Sequence, residues 1–129
     1  MSKKLIESKK APKALGPYSQ SIESNGFIFL SGQIGINPED GKLVNGGISE
    51  QTKQIFSNIE NILSEADCKL NDIVKVTVFL KNMDDFSLVN SIYSEYFSKP
   101  YPARSAIQVA KLPMDVDIEI ESIAVKKIC

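Results

Sequence analysis

Of the 15 basic residues in this 129-residue chain, a single one is arginine, Arg104, in the run Tyr101-Pro102-Ala103-Arg104-Ser105-Ala106. A guanidinium grips a carboxylate through two parallel hydrogen bonds, which a lysine ammonium does not reproduce. Two readings of Arg104 are open: a surface arginine held in an ion pair, or an anchor for a small carboxylate substrate. Glu119 and Glu121 are the candidates for acid–base work, because partial burial raises a carboxyl pKa toward the range of a general base. Charged residues on a solvated strand face are the ordinary alternative for both. Ser31-Gly32-Gln33 follows an apolar run, where a hydroxyl and a free backbone amide could meet a ligand. No histidine or SxxK-type lysine stands near to activate Ser31, so it reads as a hydrogen-bond donor and not as a nucleophile.

The chain holds no histidine. That excludes Ser-His-Asp and Cys-His catalysis, histidine zinc sites and a histidine base. Gly26, Gly32, Gly35 and Gly41 do not form a phosphate-cradling spacing, and Gly46-Gly47 lacks the following lysine of a P-loop. No cofactor or metal is implied. The net charge of −1 argues against a nucleic-acid module, which carries a basic patch or stripe. Cys68 and Cys129 form no CxxC pair and read as free thiols in a reducing compartment. The charged N-terminus has no apolar signal core, and the longest apolar stretch, Ile73 to Leu80, is broken by Lys75 and far short of a membrane span. The expected location is the cytoplasm, away from any membrane.

These residues must be positioned by one domain spanning 1–129, since a chain of this length makes a single core. Residues 1–10 are polar and stay loose unless a sheet or a partner ties them down. Phe27 to Ser31 reads as a strand, and the segments 37–41 and 45–47 read as turns. From Ile48 the period changes: Ile48, Ile55, Phe56, Ile59, Ile62, Leu63 and Ala66 fall on one helical stripe. Ile73 to Leu80, rich in β-branched residues, reads as a central strand. Asp84-Asp85 then supply an N-cap for a second helix with an apolar face of Phe86, Val89, Tyr93 and Tyr96 or Phe97, ended by Pro100 and Pro102. Strands over Ser105–Val109 and Val116–Val125 follow. The order β(β)-α-β-α-β-β defines an α+β domain with two helices on one face of a sheet. In the last strand Val116, Ile118 and Ile120 point one way and Asp117, Glu119 and Glu121 the other, and that second face turns apolar at Ile123 and Val125. A face that changes so quickly marks a cleft or a subunit contact. A sheet with helices on one side must bury the other by assembly.

Taken in order, Gly16-Pro17-Tyr18-Ser19-Gln20, Phe29 to Pro38, Asp72 to Leu80, Val89-Asn90, Pro102-Ala103-Arg104-Ser105 and Ile118-Glu119-Ile120-Glu121 resemble the YjgF/Rid family. The likeness runs from about Ala11 to Val125. It implies a chorismate-mutase-like fold with a mixed or antiparallel sheet, assembled as a homotrimer with sheets facing inward and ligand clefts between subunits. It also implies hydrolysis of the enamines and imines released by pyridoxal-phosphate enzymes, 2-iminopropanoate and 2-iminobutanoate among them, to 2-keto acids and ammonia. Carried over by position, Arg104 clamps the substrate carboxylate, Tyr18, Ser31 and Asn90 line the pocket, Gly32 offers a backbone amide, and Glu119 activates the attacking water. The resemblance selects Glu119 over Glu121, which the strand pattern alone does not. Where relatives often carry cysteine two residues after the arginine, this chain has Ala106, so thiol chemistry there is not carried over.

An imine is already electrophilic and needs no covalent intermediate or cofactor; holding its carboxylate and a water in register supplies much of the acceleration. The alternative is a non-catalytic trimer that binds a small carboxylate, such as a 2-keto acid, in the same cleft. A ribonuclease or translation inhibitor, the third reading, fits poorly with the charge balance and the lone arginine.

Overall fold

The computed structural model describes residues 2–127. Eight strands and two helices follow one another as β1 (Lys4–Ile6), β2 (Ser21–Ser24), β3 (Phe27–Gln33), β4 (Ile36–Asn37), β5 (Lys42–Leu43), α1 (Gly47–Ser64), β6 (Ile73–Leu80), α2 (Phe86–Tyr96), β7 (Ala103–Gln108) and β8 (Ile118–Val125). Six strands form one mixed sheet in the order β1-β2-β3-β8-β6-β7, in which only β6 and β7 run parallel. β4 and β5 make a separate small hairpin. The protein is therefore α+β, as the periodicity implies.

Alternation along the strands decides which face the helices cover. Ile73, Val76, Val78 and Leu80 of β6 are buried, as are Ile118, Ile120, Ser122 and Ala124 of β8 and Ile28 and Leu30 of β3. On these rows lies the stripe of α1, where Ile55, Phe56, Ile59, Ile62 and Leu63 are essentially inaccessible. Phe56 packs its ring against Tyr93, Tyr96 and Phe97 of the α2 region at centroid separations of 6.1, 4.6 and 5.5 Å. Truncating such a buried ring to alanine costs about 3–5 kcal/mol. Opposite the helices the sheet is open: Phe27 and Phe29 stack at 6.0 Å there while 43% and 45% exposed.

The helix ends follow local chemistry. α1 begins after Gly46, whose φ of 109° is left-handed and suits glycine. Its polar residues tie loops to the sheet. Asn58 Nδ2 donates to the Ile36 carbonyl at 3.0 Å, which fixes the β4–β5 hairpin. Gln51 exchanges two 3.0 Å hydrogen bonds with Asp117, one to the Asp117 carboxylate and one from its backbone N–H, which pins the start of β8.

Four expectations need correction. The side-chain cap before α2 comes from Asn82, whose Oδ1 accepts from the Asp84 N–H at 2.9 Å; Asp85, at the N-cap position, makes no such bond. Asp84 and Asp85 sit inside a 3-10 turn, so the cap moves upstream, while their charges still favour the helix N-terminus. The last strand starts at Ile118, because Pro113–Asp115 form another 3-10 turn, and the strand through Arg104 spans Ala103–Gln108, two residues earlier than Ser105. β1 and β2 also lie outside the expected order. Leu5 pairs with Ile22 at the sheet edge, which ties down the polar N-terminal segment. No helix among the described residues is long and apolar enough to cross a membrane. Cys129 lies outside the described residues.

Candidate functional site

Glu119 sits near the start of β8 on the open face, in register with Phe79 of β6. It is half-buried, and burial raises its carboxyl pKa above the ordinary glutamate value, with the negative charge of Glu121 two residues on adding to the rise. A carboxylate so destabilised takes up a proton more readily, as a general base must. Glu119 takes part in no ion pair among the described residues.

Opposite it, the β3–β8 ladder is irregular. Leu30 pairs with Ser122 and Gln33 with Ile120, so three steps along β3 match two along β8, with Ser31 and Gly32 in the extra length. Bulges of this kind re-aim side chains beside functional sites. Here the irregularity lays the Gly32 α-carbon against Glu119, and a β-carbon at position 32 would overlap the Glu119 carboxylate. Ser31 spends its proton locally: its Oγ donates to the Ser19 carbonyl at 2.6 Å, and its N–H donates to the Gln20 carbonyl at 3.0 Å. These bonds fasten the segment carrying Tyr18 to β3. The Ser31 hydroxyl proton, expected as a donor to a ligand, is thus engaged within the chain. Tyr18 is 55% exposed and borders, with Gly32, a groove of about 460 Å3.

Arg104 lies elsewhere. On β7 it is in register with Val76, which pairs with Ser122; both are buried beneath the helices, so Arg104 projects from the helix-covered side at the sheet edge. Its Nη1 donates to Asn90 Oδ1 at 2.8 Å, and its guanidinium carbon stands 4.6 Å from the Tyr93 ring centre and 5.1 Å from that of Phe86. Phe86, Asn90 and Tyr93 are spaced i, i+4, i+7 on one face of α2, so the helix supplies two aromatic plates and an amide that aim one exposed cation. A cavity of about 360 Å3 opens there, lined by Asn90, Tyr93, Ser94, Tyr101, Pro102 and Arg104.

The expected residues thus fall into two groups. Arg104 and Asn90 form one; Glu119, Gly32, Ser31 and Tyr18 form the other. Residue alternation puts Arg104 and Glu119 on opposite faces of the sheet. Sequence reasoning treated Phe86 and Tyr93 as core only, although their spacing around Asn90 was the signal for a platform. It did not single out Pro113 and Met114, which border the groove beside Gly32.

This arrangement, an exposed arginine on one face of an α+β sheet and a half-buried carboxylate on the other, occurs in a chain with clear relatives. Residues 8–126 match the family described as endoribonuclease L-PSP, and the chain belongs to that family, the YjgF/Rid group. A RutC family protein of Pyrococcus abyssi is 54% identical over 127 residues, covering 98% of this chain and 100% of its own. The 2-iminobutanoate/2-iminopropanoate deaminase of Mus musculus is 48% identical over 124 residues, covering 96% of this chain and 92% of its own. Among solved structures, a protein of unknown function of the conserved Rid protein family from Yersinia pestis superposes with a TM-score of 0.93 at 46% identity, covering 96% of this chain and 99% of its own.

Proposed function

We propose that the chain is an enamine/imine deaminase, hydrolysing 2-iminopropanoate, 2-iminobutanoate and related imino acids to 2-keto acids and ammonia, at a site completed between copies of itself. The observation that carries this reading is the separation of the anchor from the base. Arg104 and Asn90 cannot serve the same bound molecule as Glu119 within one copy, because the sheet lies between them. A second copy that covers the open face brings its Arg104 edge to the Glu119 half-site. Such a contact joins unlike patches and closes into a ring, for which three copies with inward-facing sheets is the expected number. It also covers Phe27 and Phe29, which otherwise remain in water.

In that cleft the Arg104 fork of one copy binds the imino acid carboxylate, held in aim by Asn90 and the aromatic plates. Glu119 of the next copy accepts a proton from a water whose oxygen forms a bond to the imine carbon, and the C=N electron pair moves to nitrogen. That proton passes from Glu119 to the nitrogen, giving a carbinolamine; the hydroxyl proton then moves through the Glu119 carboxylate to the amine nitrogen as the C–N bond breaks, so ammonia leaves and the C=O of the 2-keto acid forms. Bringing the two reactants into register is the main contribution, since the imine carbon is already electrophilic. RNA cleavage, which the family's description mentions, has less support: the net charge is −1 and a single arginine is present.

The test couples the protein to a pyridoxal-phosphate threonine dehydratase, which releases 2-aminocrotonate and its imine. Wild type is expected to accelerate 2-ketobutyrate formation and Arg104→Ala to lose the acceleration. No acceleration by folded wild type would refute the deaminase and favour carboxylate binding without turnover.

A further inference from the structure

The half-site around Glu119 continues into the groove of about 460 Å3, lined by Leu15, Tyr18, Gly32, Ile34, Pro113 and Met114 among others. No role assigned above uses that space, which is comparable to pockets that hold whole small ligands and far larger than a methyl or ethyl group needs. Its lining is mainly apolar, with Lys13 the one charged residue bordering it among the described residues. The amide of Gln20, which also borders it, is already spent: its Oε1 accepts from the Ser8 N–H at 2.7 Å and its Nε2 donates to the Ser8 and Pro12 carbonyls at 3.1 and 2.7 Å. An apolar group suits the greater part of this lining, with Lys13, Tyr18 and Gln33 as its polar border.

Met114 carries the rest of the argument. It is 64% exposed, and it adopts φ 55° and ψ 17°, followed by Asp115 at φ 54°. Two successive left-handed residues that are not glycine are unusual and cluster at functional sites. The turn is held in place from several sides: the Asp115 and Val116 N–H groups donate to the Leu112 and Pro113 carbonyls at 3.0 and 3.2 Å, and Lys81 pairs with the Asp115 carboxylate at 3.2 Å. The result keeps a long thioether chain out of the core and at the groove.

We propose that this groove receives the alkyl side chain of the 2-imino acid, and that Met114 sets how strongly longer chains are favoured. The inference rests on the deaminase reading. Gly32 links the two, since it touches the Glu119 carboxylate and also lines the groove, so a substrate with its imine carbon at Glu119 has its side chain directed there.

The experiment measures kcat/KM for straight-chain 2-imino acids with side chains of two, three and four carbons, generated in place by an amino-acid oxidase. For wild type, kcat/KM is expected to rise about fourfold per methylene, the ratio corresponding to ~0.8 kcal/mol of burial. Met114→Gly keeps the left-handed backbone and removes the side chain, and should cut the four-carbon to two-carbon ratio about fivefold or more; Met114→Leu should retain the ratio. A flat series in an active wild type, or a ratio unmoved by Met114→Gly, overturns the proposal while leaving the deaminase intact. Absence of all imine turnover overturns both.

Discussion

Gly32 and Glu119 approach so closely across β3 and β8 that a β-carbon on residue 32 and the Glu119 carboxylate would claim the same space. The glycine is needed for room, since no left-handed backbone is involved at this position. Gly32→Ala should leave the sheet assembled while displacing the carboxylate, and misplacing a catalytic group by an ångström costs on the order of a hundredfold. A circular dichroism spectrum like wild type with imine turnover reduced about a hundredfold is the expected pair of results. Unchanged turnover would show that Glu119 need not stay where it is.

Glu119 should also show itself through pH. Its folded pKa lies above the ordinary value because of burial and then Glu121. The acid limb of the kcat/KM profile should follow that raised pKa, and Glu121→Gln should move it to lower pH by removing the like charge. Stability changes in the opposite sense to a salt-bridged acid. The folded state binds the proton more tightly than the unfolded state, so this group's contribution to stability is present below the unfolded pKa of about 4.3 and is lost as pH rises through the folded pKa. Glu119→Gln should therefore gain stability relative to wild type at pH 7 and show no gain at pH 3. Urea titrations at the two pH values check the sign.

Arg104→Lys keeps the charge but gives up the fork and the flat stacking surface over Tyr93 and Phe86. Because Arg104 is exposed, the thermal midpoint should hardly move. KM for a short imino acid should rise about tenfold or more, the loss of one charge-assisted hydrogen bond. An unchanged KM would remove Arg104 from the anchor.

Cys68 is buried, its Sγ donates to the Ala66 carbonyl at 3.5 Å, and burial pushes its thiol pKa up, with nearby Asp72 adding to the rise. In a Cys129→Ser background, native protein should react with a thiol reagent at least about a hundredfold more slowly than urea-unfolded protein. Equal rates would mean that the end of α1 opens readily.

The reach of sequence reading here depended on what each feature is made of. The bounds of β6 were legible to the residue because β-branched residues dominate from Ile73 to Val78, broken only by Lys75, and Phe79-Leu80 continue the apolar run. The two faces of β8 were legible because Ile118 and Ile120 alternate with Glu119 and Glu121, which placed both carboxylates on the open side. β1 and β2 were not, since Lys4–Ile6 and Ser21–Ser24 are too short for a clear alternation and are strands only because β3 offers an edge to β2 and β2 offers one to β1. The opposition of Arg104 and Glu119 was hidden for a topological reason. It arises from the register of β7 on β6 and β6 on β8, and pairing between distant segments leaves no mark in local spacing. Met114 was invisible because its backbone conformation comes from the turn around it, not from a glycine.

Subunit complementation tests the central claim most directly. Arg104→Ala and Glu119→Gln, each expected to be inactive alone, are unfolded together and refolded as a mixture. If anchor and base come from different copies, mixed rings contain some cleft with an intact Arg104 from one copy and an intact Glu119 from the next, and activity should return to about a quarter of wild type at equal mixing. If the mixture stays as inactive as its components while wild type recovers fully from the same treatment, the site lies within one chain and the account is wrong.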